Sequence, residues 1–164
     1  KSYNFKNNKK MLQVNRVREL VAEVKEAIPQ IKYAEVLTTD DDFKKFLEER
    51  KTSENILFFS VIPDHSLNGA EDKTKYENHI QFFLLEKQIE KNIKHTDKLD
   101  LYNRVQLVTK QFIDMIIEAK SGDSEVFSAC DIFSELNEES IEIKVFWDGV
   151  QCRGYEIFMN LITK

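Results

Sequence analysis

A chain of 164 residues, 41% apolar and 32% charged, is long enough to bury roughly two thirds of its unfolded surface in one domain, and this composition excludes disorder. Its net charge of −5, from 24 basic and 29 acidic side chains, makes it poorly suited to gripping a phosphate backbone. Only two cysteines, Cys130 and Cys152, are present, without CxxC or a Cys/His cluster, so neither a disulfide framework nor a zinc site is expected.

The most basic stretch is the N-terminus, where Lys1, Lys6, Lys9 and Lys10 read as a solvated, frayed tail over residues 1–10. The chain starts at Lys without a Met, which leaves a trimmed terminus open. No signal peptide or membrane span is visible, and a reduced, cytoplasmic protein is expected. Met11–Ile28 places Val14, Val17, Leu20, Val21, Val24 and Ile28 on one helical stripe, and Pro29 ends it. Ile31–Thr38 alternates weakly, as a strand does. Thr39 and Asp40–Asp42 supply cap oxygens for a helix over about Asp41–Lys51, with Phe43, Phe46 and Leu47 inward. Three adjacent carboxylates are also a conceivable cation site, but cap and dipole partners are the commoner use.

Asn55–Pro63, NILFFSVIP, is apolar on both faces and predicts a strand covered on both sides, central in its sheet, with Ile80–Leu85 beside it. Between them Asp64–Glu77 reads as a long polar loop, too long for a tight hairpin and either slack or a partner-binding arm. Asn78–Ile89 is the next strand. Thr96 or Asp97 is expected to cap the longest helix, whose stripe is Leu101, Val105, Val108, Phe112, Met115, Ile116 and Ala119. Ser121–Ser124 breaks it. Glu125–Asn137 fits a strand or a short helix. Ile141–Trp147 predicts a strand with Glu142 and Lys144 facing away from Ile141, Ile143 and Val145; Asp148-Gly149 signals a turn, and Cys152–Ile162 returns with Gly154 as a bulge position. The order predicts an α+β fold: one domain with a single mixed or antiparallel sheet of about five to six strands and helices packed on one face.

Chemical signatures are sparse. Asp131 followed by Glu142-Ile143-Lys144 is similar to the metal-dependent nuclease pattern PD-(D/E)xK, in which two carboxylates hold Mg²⁺ and the Lys positions water. Ala129-Cys130 stand where that pattern has Pro, and an exposed charge pair explains Glu142 and Lys144 equally well. Neither phosphate-cradling glycine loop nor G-x-S-x-G is present. His65, His79 and His95 are widely spaced, without an H-x-x-x-H pair, so no metal or other cofactor is expected. His65 beside Asp64 is half of an acid/base pair with no nucleophile near it in sequence. Trp147 reads as a core residue at a strand end or as a partner anchor.

VNRVRELVAEVKEAI, then NILFFSVIP and NHIQFFLLEKQ, then the long helix from Asp97 and the closing GYEIFMNLI together resemble the phage tail-terminator and tail-completion proteins. The resemblance covers roughly Val14–Ile162 in order of elements. It implies a non-enzymatic virion assembly protein made in the bacterial cytoplasm. Such proteins form a ring, often hexameric, that caps the tail tube and faces the head connector. The implied partners are copies of the same chain, tail-tube protein and connector protein, with no specific nucleic-acid or membrane contact. Contacts are then expected from the polar insertion and the last turn, with His65, Leu67, Tyr76, Trp147 and Val150 as interface residues. A cytoplasmic immunity or adaptor protein is the alternative.

Overall fold

The structure, a computed structural model, describes residues 11–38, 40–69, 75–122, 130–147 and 151–163, with only the backbone of Cys130, Asp131 and Thr163. The expected tail, the Thr39 cap, the Asp148-Gly149 turn and Val150 lie outside the described residues. Within them the fold is α+β, with one mixed six-stranded sheet. The elements run α1 (Val14–Ala27), β1 (Tyr33–Leu37), α2 (Asp40–Glu49), β2 (Leu57–Val61), β3 (Asp64–Asn68), β4 (Lys75–Lys87), α3 (His95–Ser121), α4 (Cys130–Phe133), β5 (Leu136–Trp147) and β6 (Cys152–Thr163). The sheet order is β1-β2-β4-β6-β5, with β3 also on β4. The β1–β2 pair is parallel, and the other pairs are antiparallel.

Because side chains alternate across a strand, the double Phe of β2 and the double Phe of β4 each feed two cores. Phe58 and Phe82 point to the face covered by α1, α3 and α4, and Phe59 and Phe83 point to the opposite face. On the first face Phe112 of α3 stands 5.1 Å from each of the Phe58 and Phe82 rings, in edge-on contact. On the second, Phe43 of α2 stacks on Phe83 at 4.5 Å, and Phe146 meets Phe83 edge-on at 5.1 Å. The expectation of helices on one face therefore holds for α1, α3 and α4. The short α2 covers the other face, because strands apolar on both sides need cover on both.

Several local expectations are revised. Val14, on the predicted stripe of α1, is 46% exposed, since it is the helix's first residue and lies beyond the sheet's cover. No side chain caps α3: its N-cap is Lys94, and Thr96 and Asp97 lie inside the first turn, where the Asp97 carboxylate favours the helix dipole. Asp40, Asp41 and Asp42 take that same place in α2. Gly122 closes α3 in the left-handed conformation, φ 79°. Asp64–Glu77 is not a plain loop: β3 pairs with the first half of β4, because β4 outruns β2 and the uncovered ladder takes a partner. Within 125–137, α4 is a single helical turn and β5 begins at Leu136. Gly154 is not a bulge: it keeps register opposite Leu85 of β4 and Phe146 of β5, and a Cβ there would lie 2.0 Å from the Leu84 carbonyl oxygen.

Phe112 fills the junction of helix and sheet with no exposed surface, whereas Leu107 on the same helix is 62% exposed. Phe112→Ala is expected to cost about 3–5 kcal/mol, and Leu107→Ala within about 0.5 kcal/mol. Urea denaturation of the two variants checks the contrast.

Candidate functional site

The sequence element with the most contact potential, Asp64–Glu77, is the β3 arm of a ribbon. β2 and β3 lie end to end along one side of β4, with Ser60 opposite Phe82 and Asp64 opposite His79. The bend between them falls at Ile62-Pro63, and the Ile62 N–H donates to the Leu37 carbonyl of β1 at 3.0 Å. On the ribbon, Leu67 faces Tyr76 across the ladder, on the same side of the sheet as α1 and α3. Leu67 is 61% exposed and Tyr76 half-buried. His65, also on this side, is half-buried and tied down: its Nδ1 lies 2.7 Å from Asn78 Oδ1. That oxygen also accepts the Leu12 N–H at 3.0 Å, while Asn78 Nδ2 donates to the Leu161 carbonyl at 3.3 Å. An amide oxygen only accepts, so His65 carries its proton on Nδ1. Asn78, fully buried, joins the segment before α1 to β3 and β6.

The other side of the ribbon carries a polar chain. Ser66 Oγ lies 3.3 Å from His79 Nε2, and His79 Nδ1 lies 2.7 Å from Asn160 Oδ1. Asn160 Nδ2 donates to Glu77 Oε1 at 3.1 Å, and Asn68 Nδ2 donates to Glu77 Oε2 at 2.8 Å. The His79 Nδ1–H therefore donates to the Asn160 oxygen, and Nε2 faces the Ser66 hydroxyl. This is the connectivity of a hydroxyl–imidazole–amide relay. It stands on an exposed sheet face open to water, however, and not in the enclosed low-dielectric setting that acyl transfer uses. Its evident effect is to stitch β3, β4 and β6 together.

At the far margin lies β5. Its apolar alternation is present, but the apolar side is largely uncovered: Ile143 is 48%, Val145 65% and Trp147 63% exposed. Tyr102 of α3 reaches the strand, donating to the Phe146 carbonyl at 3.2 Å, and α3 lies over β6. Arg153 stands over the Trp147 ring at 5.5 Å. Trp147 is thus an exposed strand-end residue rather than a core one. On the opposite side, Lys144 pairs with Glu142 at 3.1 Å and lies 5.2 Å from the Phe158 ring, both partners being more than half exposed. Asp131 is in α4 and its side chain lies outside the described residues, so the nuclease-like trio is not assembled within them.

Beside α2, a cleft of about 430 Å³ has Val61, Phe43, Phe83 and Phe146 among its apolar lining and Asp40, Lys44, Gln81 and Glu156 among its polar lining. Gln81 Nε2 donates to Glu156 Oε2 at 3.2 Å in that lining. At the C-terminal end of α2, the Arg50 guanidinium lies 4.0 Å over the Tyr33 ring and pairs with Glu54 at 3.1 Å. Burial raises the Tyr33 phenol above its ordinary 10.0, with the Arg50 charge acting in the opposite direction.

Among the described residues no group of three or more His, Cys, Asp or Glu side chains converges to hold a metal ion, and no helix is long and apolar enough to cross a membrane. No family model and no curated protein matches the chain. The predicted interface residues fall into two places. His65, Leu67 and Tyr76 share one face of the ribbon, Trp147 ends β5, and Val150 lies outside the described residues. Sequence reasoning missed Ser66, His79 and Asn160, whose contacts join residues 13 and 81 apart. It also missed the exposure of the β5 apolar row.

Replacing Asn78 by Leu strands the Leu12 N–H and His65, and is expected to destabilise by about 1–3 kcal/mol in urea denaturation. Because the folded-state value of Tyr33 lies above the unfolded one, its stabilising contribution is complete below about pH 10 and is lost as pH rises beyond it. Tyr33→Phe is therefore expected to lessen the fall in melting temperature between about pH 8 and about pH 11.

Proposed function

We propose that this chain is a non-enzymatic structural protein that assembles with copies of itself. In its particular form it is a phage or prophage tail protein that caps a tail tube as an oligomeric ring. The observation that carries this reading is the presence of two separate exposed apolar surfaces at opposite margins of one sheet. One is Leu67 on the ribbon, beside the half-buried Tyr76, the other Ile143, Val145 and Trp147 on β5. Tyr76 lies opposite Thr163 at one end of β6; Trp147 is opposite Arg153, and Arg153 opposite Glu86, at the other. Ten residues of β4 separate Tyr76 from Glu86, about 33 Å at strand rise. Different patches at different ends suit head-to-tail contacts, and such contacts make rings when the rotation closes. The acidic net charge suits a lumen through which DNA passes without being held.

Light scattering over a wide concentration range is expected to find a discrete closed oligomer, and purified tail tubes are expected to bind it. A chain that stays monomeric or dimeric at every concentration and ignores tail tubes would overturn the reading in favour of an adaptor or immunity protein.

A further inference from the structure

Resting on that self-assembly reading, we infer the contact that builds the assembly: the free edge of β5 in one copy adds antiparallel to the free edge of β3 in the next. Both strands have a sheet neighbour on one side only, among the described residues. β3 runs antiparallel to β4, β4 to β6 and β6 to β5, so β3 and β5 run in opposite senses. A second copy placed beside the first in the same orientation therefore presents β3 antiparallel to β5, with each face of the sheet continuing into the same face.

The side chains match in that arrangement. On the α1/α3 side β5 offers Ile141, Ile143 and Val145, and β3 offers Leu67 together with the half-buried His65, whose ring is held by Asn78. On the other side stand Glu142 and Lys144 of β5, and Asp64, Ser66 and Asn68 of β3. Charge selects the register. With Lys144 opposite Asp64, Glu142 meets Ser66 and Ile141 meets Leu67. A slide of two residues one way sets Glu142 against Asp64, a like-charge pair, and a slide the other way leaves both charges without an opposite. A second copy is thus the occupant whose own edge carries the complementary pattern.

Ile143→Lys and Leu67→Lys place a charge on each edge in turn, at positions already about half or more exposed. Each variant alone is expected to sediment as a single chain with an unchanged melting temperature. An equimolar mixture is expected to give one-to-one pairs and nothing larger, since one intact β5 then meets one intact β3. As an independent check, Lys144→Glu is expected to raise the concentration of half-assembly roughly three- to tenfold, and adding Asp64→Lys in the same chain to restore it. Should Leu67→Lys assemble as the unmodified chain does while Ile143→Lys does not, the contact is β5 with β5 across a two-fold. The inference then falls and self-assembly stands. An unmodified chain that binds tail tubes yet stays monomeric also overturns the inference, leaving the tail reading intact. A failure of both assembly and tube binding removes the two together.

Discussion

The constraint on which the other elements depend is the length of β4. Twelve of its thirteen residues pair with β6 in one unbroken register from Tyr76 opposite Thr163 to Lys87 opposite Cys152. On its other side β2 satisfies only Phe82–Leu85, and the remaining ladder groups need a partner. β3 supplies it. A five-residue segment with little intrinsic strand preference, DHSLN, is held extended by a neighbour that was already there. The change in composition along β4 then decides the rest. Its second half, FFLL, is apolar on both faces and draws helices to both, whereas its first half, KYENH, alternates polar residues and is left as an uncovered ribbon.

The two Phe pairs convert this strand into two cores with unequal roofs. Burying Phe58 and Phe82 against Phe112 uses the 27-residue α3, and α1 completes that face through Val17, Leu20, Val21 and Val24. Phe59 and Phe83 receive only the ten-residue α2, fixed by Phe43 from above and by Arg50 across Tyr33 at its end. The smaller roof leaves the polar lattice around His79, Asn160 and Glu77 open beside it. Asn78, on the other side of the same strand, is a buried amide that joins the N-terminal segment, ribbon and last strand. Its three contacts come from positions 12, 65 and 161, so no local pattern advertises it.

What was legible in the sequence was what burial dictates locally. NILFFSVIP and IQFFLL are apolar on both faces, and only paired internal strands satisfy that; the stripes of α1 and α3 mark helices against a sheet in the same way. Less legible was anything set by a distant partner. β3 is polar and reads as loop until β4 is seen to outrun β2. Lys94 rather than Thr96 precedes α3, because packing of Leu101 and Val105 fixes where the helix starts more strongly than a cap hydroxyl does. In IEIKVFW, alternation gives the two faces of β5 correctly, but alternation cannot say whether a helix lies over the apolar one.

That last point bears on function. Exposed edge strands are a hazard that folds blunt by shortness, charge or cover. The β1 edge is short, five residues, and Arg50 with its Glu54 and Glu49 partners lies over its first residue, Tyr33. β5 has twelve residues; from Ile141 to Trp147 its charges Glu142 and Lys144 lie on one face, and the other face shows water Ile143, Val145 and Trp147. α3 passes close enough for Tyr102 to bond the Phe146 carbonyl, yet it settles over β6 and leaves this row open. A longer reach of α4 or a polar residue at 143 or 145 would have closed the hazard at little cost in stability, since neither side chain is buried. The isolated chain gains almost nothing from these apolar groups. Their benefit arises only when another surface covers them, and this is the ground for proposing that the chain assembles with copies of itself.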